Sequence, residues 1–458
     1  MQKILLTLLL SAAAIGGRAQ APSVPITDGF DDMMERARSF NPNYKQDIAR
    51  LNQEIEQKGR LLMTDNAAQK TTAIKEVPII FHVVLNSSQL AQIGGEAGVI
   101  ERINSQIDAL NADYNAANAD SATIPPAFKT FYANVGIHFA LAHKDPNGNY
   151  TPGYEFITTT QSSFAVNGGT IGSGFACSDA KFSTTGGAEA WDTKKYINVW
   201  VINITPFGVG GVGTPPPYAA YGGEVAFPWN EQGIAIAYFA LGKQTSSSQY
   251  FVPAAKAGRT LVHEMGHFFN LFHPFGLSTF DNSDCTDDDG VGDTPKEAGP
   301  TQSKCPAFPL LDTCSNTFPG VMFMNHMDYS ADTCRTMFTT QQAARINVEL
   351  ANGGYRQSLL DDPGIIYNYP TTITTISNQS SFRIFPNPAS GNCVLWFAAD
   401  SHPKEATLLN AMGQAVKVFK LDETTQLQHL DISDIARGAY SLQCRFDNTA
   451  ATQRLMIY

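Results

Sequence analysis

The sequence predicts a mixed α+β domain followed by a small all-β, immunoglobulin-like sandwich. Three observations carry this. Between residues 76 and 353, apolar β-branched runs ("VPIIFHVVL", "KYINVWVINI", "GIAIAYFAL") alternate with segments of helical period. A Thr/Ser/Pro-bearing stretch, "DDPGIIYNYPTTITTISNQSS", then breaks the pattern. After it, short strand-like runs alternate with turns to the end of the chain, as in a sandwich. At 458 residues the chain exceeds one ordinary core, so more than one folded unit is expected.

The elements follow in order. "MQKILLTLLLSAAAIGGRAQA" joins an early lysine, a short apolar run and small residues near Ala19 and Ala21, which reads as a secretory signal over 1–19. The run is too short for a membrane anchor. No later segment reaches about 18 apolar residues, so no transmembrane segment is expected in the mature protein. Residues 20–75 are polar and helical in places and fit a prosegment; the rival reading is an N-terminal helical layer of the main domain.

The main domain is expected over 76–353. "GVIERINSQIDALNADY" sets Ile100, Ile103, Ile107 and Leu110 on one helical face. "VGIHFALAH" reads as a strand running into the turn "DPNG". "FTTQQAARINVELANGG" carries a capping box, Thr339 with Gln342, and glycines past its end, so it closes the domain as a helix. A linker is expected over 354–380 and the sandwich over 381–458. The net charge of −11 excludes nucleic acid as a main partner.

One stretch carries chemistry. In "HEMGHFFNLFH", His263 and His267 are four apart on an apolar helix, so their imidazoles project from one face about a turn apart. That suits two ligands of one zinc ion. Glu264 is rotated roughly 100° around the helix and stands beside the metal without binding it. There it can take a proton from metal-activated water and pass it to a leaving amine. His273 reaches the same ion only if the helix stops and the chain turns back. Such a stop wants a left-handed residue, usually glycine, with asparagine the next most tolerant, and Asn270 stands there. Pro274 discourages further helix.

With these residues the sequence resembles the metzincin metallopeptidases, and among them the pappalysin family. "NHMDYS" resembles the family's Met-turn, 54 residues after His273, and "GRTLVHEMGH" and "YINVWVINI" also read as in that family. The resemblance covers roughly residues 77–352 and departs at Asn270, where most members have glycine. It implies a metzincin-like catalytic domain with a zinc cleft, in which Met327 forms a hydrophobic base beneath the metal. Tyr329 would hydrogen-bond the oxyanion of the tetrahedral intermediate. The expected function is a secreted zinc-dependent endopeptidase acting on protein or peptide substrates and made as a zymogen. A catalytically silent surface-binding protein is the alternative. The prosegment has no cysteine to offer the metal, so a carboxylate is expected to block it, with Asp65 in "LLMTDN" as the choice. Asp328 or Asp332 would favour a basic residue after the scissile bond, or be structural.

Export permits disulfides. Four of the seven cysteines follow the zinc motif: Cys285, Cys305, Cys314 and Cys334. Four cysteines allow three pairings. The resemblance implies Cys285–Cys314 and Cys305–Cys334; the rival, a four-cysteine metal site, lacks paired C-x-x-C elements. Cys177 is unassigned, and Cys393 and Cys444 either pair or are buried thiols. "DNSDCTDDDGVGDTP" crowds six aspartates around glycines, which suits calcium, although no glutamate closes an EF-hand loop. The resemblance points to Asp289, Asp293 and, through its carbonyl, Thr294; the bland reading is a solvated acidic loop. Finally, "FRIFPNPASG", "LLNAMGQAV", "LDISDIARGAYSLQC" and "QRLMIY" resemble, in that order, the C-terminal sorting domain of the type IX secretion system. This implies that system as a partner, and outer-membrane export. A carbohydrate- or matrix-binding sandwich is the rival.

Overall fold

Eleven residues of near-continuous apolar sequence make β1 (Lys75–Leu85), whose last nine residues are all buried. A strand apolar on both faces belongs at the centre of a covered parallel sheet, and β1 is there. The computed structural model describes residues 25–69, 75–277, 285–366, 382–397, 403–410, 413–422, 425, 427–446 and 450–457. The signal expected at 1–19 lies outside them. The chain divides into two units, the second beginning at Pro370.

In the first unit, residues 75–79 of β1 pair in parallel with β2 (Ile137–Leu141), and residues 81–85 with β3 (Tyr154–Thr158). On its other side lie β4 (Ile197–Ile202) and β6 (Ile234–Ala237), both fully buried and parallel. The edge is β5 (Gly211–Gly213), which runs antiparallel to β6.

Two helices, α1 (Phe30–Arg38) and α2 (Tyr44–Gln69), precede the sheet. Helix α3 (Gly95–Tyr114) buries Val99, Ile103, Leu110 and Tyr114, while Ile100 and Ile107 stay half-buried. The inward face is rotated from the aliphatic pattern because Arg102 and Gln106 also point in. Arg102 donates to the Leu241 carbonyl at 3.2 Å, and Gln106 bonds Gly258 and Gly242 at 2.8 Å each. Helix α4 (Arg259–Phe268) is buried along its whole length. Helix α5 (Thr340–Leu350) starts from the Thr339–Gln342 capping box, and α2 packs on it with Gly59 against Ala344.

One boundary differs from the sequence reading. Residues 354–366, assigned to the linker, fold onto the first unit, with Leu359 and Ile365 buried. There Arg356 donates to the Phe268 carbonyl at 3.1 Å, which satisfies the end of α4. Residues 25–69 are also ordered against the main domain and bury Phe30, Met33 and Met34 completely.

The second unit is a seven-stranded array: β7 (Phe382–Ser390), β8 (Asn392–Phe397), β9 (Glu405–Leu409), β10 (Ala415–Lys420), β11 (Leu427–Asp431), β12 (Gly438–Arg445) and β13 (Ala450–Ile457). Its order is β10-β9-β12-β13-β7-β8-β11, antiparallel except for one parallel contact, Ile457 with Ala389. The array encloses its own core of Leu395, Phe397, Leu408, Leu442 and Leu455. Cys393 and Cys444 are buried in it as thiols, without a bond between them.

Candidate metal centre and active site

Helix α4 places His263 and His267 on one face and ends where Asn270 takes φ +72°. The Leu271 amide closes the turn by donating to the Gly266 carbonyl at 2.9 Å. Asparagine holds this turn with its side chain. It accepts from the Tyr221 hydroxyl and donates to Glu349 Oε1, both at 2.7 Å, and Arg345 Nε donates to its carbonyl at 2.5 Å. His273 thereby returns to the helix. The three Nε2 atoms converge at 3.0, 3.1 and 3.2 Å from one another.

The outer nitrogens explain the inner ones. Nδ1 of His263 bonds the His326 carbonyl at 2.7 Å, Nδ1 of His267 the Leu271 carbonyl at 2.8 Å, and Nδ1 of His273 Asp31 Oδ1 at 2.9 Å. Each acceptor fixes the proton on Nδ1, so each Nε2 turns a lone pair inward. Three facing lone pairs repel unless a cation lies among them, and three neutral imidazoles with an open fourth position fit zinc. Burial holds His263 down to about 3 and lowers His267. Burial also opposes charge on His273, but the carboxylates of Asp31 and Asp28 outweigh it and push that group up to about 10, so its Nε2 shares a proton with Asp28 that a bound cation would displace.

Met327 lies fully buried against α4. Gly266 gives it room, because a Cβ there would fall 2.4 Å from the Met327 sulfur. Glu264 is held by edge strand β5: its Oε2 accepts from the Gly213 amide at 2.9 Å, and a Cβ on Gly211 would fall 2.7 Å from its side chain. Burial, reinforced by the Asp28 carboxylate, raises the Glu264 carboxyl well above its ordinary value.

The fourth position is filled from the N-terminal segment. Asp28 Oδ2 lies 2.7, 3.1 and 2.9 Å from Nε2 of His263, His267 and His273. Its Oδ1 accepts from the Tyr329 hydroxyl at 2.7 Å and from the Phe30 amide at 2.8 Å. These four groups form the one convergent set of metal-binding side chains among the described residues. The flanking backbone runs along the sheet edge: the Thr27 amide donates to Gly208 and the Gly29 amide to Gly211, while the Gly210 amide donates to Thr27. The Phe30 ring stacks on His267 at 3.7 Å. The carboxylate at the histidine cluster is Asp28; the side chain of Asp65, the carboxylate expected there, lies outside the described residues. Asp28 and Asp31 were missed because "ITDGFDD" shows only acids before a helix, and their partners lie more than 230 residues away.

The loop after His273 is joined by Cys285–Cys314 and Cys305–Cys334, and Cys177 is a buried thiol. In the acidic loop, both Asp289 oxygens accept from the Thr294 hydroxyl, at 2.8 and 2.9 Å, whereas Asp293 accepts from Thr339 and the Gln341 amide at the start of α5. Asp328 and Asp332 are both fully buried. Asp328 Oδ1 accepts from the Thr301 and Tyr329 amides and Asp332 Oδ2 from the Ala257 amide, while Asp328 Oδ2 and Asp332 Oδ1 are buried without a hydrogen-bond partner among the described residues.

The donor set, with a carboxylate beside it, is that of a zinc-dependent metallopeptidase, and known proteins agree. The family described as pregnancy-associated plasma protein-A matches residues 183–351, and a secretion-system C-terminal sorting domain matches 383–458. An extracellular metalloprotease of Arthroderma otae is 43% identical over 90 residues, 19% of this chain and 30% of that protein. One of Sordaria macrospora is 27% identical over 272 residues, 59% of this chain and 73% of that protein. Mature mirolysin of Tannerella forsythia, solved with a cleaved peptide, is 33% identical with a TM-score of 0.55, covering 65% of this chain and 100% of that one. A promirolysin variant from the same organism is 31% identical with a TM-score of 0.61, covering 75% and 100%. The chain belongs to the pappalysin family. Its match spans 30% of the length of the first of these curated relatives.

Proposed function

We propose that the chain is a secreted zinc endopeptidase that hydrolyses peptide bonds and is made as a latent precursor. The observation that carries this is the convergence of three histidine Nε2 atoms beside Glu264. Zinc held there by His263, His267 and His273 would lower the pKa of water and polarise the substrate carbonyl. Glu264 takes the proton from that water and delivers it to the leaving amine, with the Gly213 amide fixing its orientation. The Tyr329 hydroxyl donates to the oxyanion. In the latent form Asp28 occupies both that hydroxyl and the histidine cluster, and residues 27–29 cover the edge along which an extended substrate would add as a strand. Activation therefore requires removal of the N-terminal segment. The promirolysin likeness supports this reading.

Export would use the signal over 1–19 and the type IX machinery acting on 381–458; the sorting-domain match supports the second part. No helix among the described residues is long and apolar enough to cross a membrane. A calcium ion would sit at Asp289, Asp293 and the Thr294 carbonyl. What supports it is a buried Asp289 carboxylate whose bonded partners are neutral, and burial pushes its carboxyl up to about 8. The test of the function is casein or gelatin hydrolysis by the processed protein, abolished by a zinc chelator and restored by added zinc. Zinc binding without cleavage of any protein substrate would favour the silent-binder reading.

A further inference from the structure

Latency needs only Asp28 of the N-terminal segment at the histidine cluster, yet Phe30 and Asp31 reach it as well. Asp31 stands in the first turn of α1, is 5% exposed, and accepts from His273 Nδ1 through Oδ1 at 2.9 Å. A carboxylate on the outer nitrogen of a metal-binding imidazole fixes the ring and makes the inner nitrogen a better donor to the ion. The outer nitrogens of His263 and His267 donate instead to the His326 and Leu271 carbonyls, which belong to the main domain. His273 is thus the one ligand whose outer partner lies in the segment that activation removes. Phe30, itself fully buried, lies flat on His267, with ring planes 8° from parallel.

These contacts change the kind of zinc site the chain offers. Asp28 Oδ2 lies 2.7, 3.1 and 2.9 Å from the three Nε2 atoms, so the precursor presents three nitrogens and one carboxylate oxygen. That is the closed four-ligand set of a structural zinc site. Without the segment three nitrogens remain and the fourth position is open, as catalysis needs. The two carboxylates favour any cation at the inner nitrogens. Zinc carries twice the charge of the proton it displaces from His273, so the gain goes to zinc. Both carboxylates and all three imidazoles are buried, which strengthens that attraction.

We propose that the N-terminal segment loads the metal as well as blocking it, and that Asp31, acting through His273, makes the precursor a tighter holder of zinc than the enzyme released from it. This rests on the zinc-peptidase reading. Asp31 is a positioning residue: it orients a ligand and leaves with the segment. The experiment uses the full-chain precursor carrying Glu264→Ala, so that no copy cuts another. It is stripped of metal and titrated with zinc against a chromophoric chelator. Adding Asp31→Ala should weaken zinc binding by about 10–100-fold, the usual effect of losing an outer partner. Asp31→Asn, whose amide oxygen can still accept from Nδ1, should fall between. Release of the segment by an added protease leaves the same chain in all three cases. Those products should bind zinc equally, and no more tightly than the Asp31→Ala precursor. Should the alanine variant not fold, Asp31→Asn and the rate of zinc release from the parent, before and after removal of the segment, decide the same point. Equal affinity across the precursors, or a processed protein as tight as the parent precursor, overturns the loading role and leaves the zinc site standing. A parent precursor that binds no zinc removes both.

Discussion

The hydroxyl of Tyr329 donates to Asp28 Oδ1 at 2.7 Å, across 301 positions of sequence. One carboxylate thus holds the Tyr329 hydroxyl with one oxygen and faces the three histidines with the other. Hydrogen bonds to charged groups contribute about 1.5–3 kcal/mol each, so losing this side chain should shift the precursor toward an open cleft by about 10–100-fold. The unprocessed Asp28→Ala precursor should hydrolyse a small fluorogenic peptide faster by that factor. Hydrolysis at the level of the parent precursor would assign latency to another residue.

Asn270 makes a graded prediction. Asn270→Gly keeps the left-handed turn but leaves Tyr221 and Glu349 without their partner, at a cost of about 1–3 kcal/mol. Asn270→Ala adds about 1–2 kcal/mol for a Cβ at positive φ. Melting temperatures should fall in the order parent, Gly, Ala. A glycine variant as stable as the parent would mean that the side-chain bonds contribute nothing.

The acidic loop predicts calcium-dependent stability. A ligand bound by the folded state alone adds about 2.7 kcal/mol at 100 times its dissociation constant. The melting temperature should rise with calcium and fall in a calcium-selective chelator, while zinc content stays constant. Superimposable melting curves would dismiss the site.

The C-terminal unit has its own core, so a chain ended after residue 380 should keep peptide hydrolysis. In its native host it should accumulate in the periplasm. Normal export of the shortened chain would contradict the sorting role.

What was legible in the sequence was what local geometry dictates. A helix repeat places His263 and His267 on one face, and a residue tolerant of positive φ marks where the chain turns toward His273. Strands β1, β4 and β6 showed as apolar runs because both of their faces are buried. Contacts made through space stayed hidden. Nothing in "ITDGFDD" separates Asp28 from Asp65, since both are acids near helices. The inward face of α3 extends beyond the aliphatic pattern because Arg102 and Gln106 bond distant loop carbonyls. The linker began late for the same reason: Arg356 caps α4 from 88 positions away.

The most direct test of the account is zinc content and peptide hydrolysis measured together on processed Glu264→Ala. Three histidines supply the protein ligands, and Glu264 bonds the Gly213 amide, so the variant should retain about one zinc per chain. Losing the proton carrier should lower kcat by about 10²–10⁴-fold or more, with the fold unchanged. His267→Ala should lose the metal as well. A Glu264→Ala protein that keeps zinc and most of the parent's rate would contradict the mechanism.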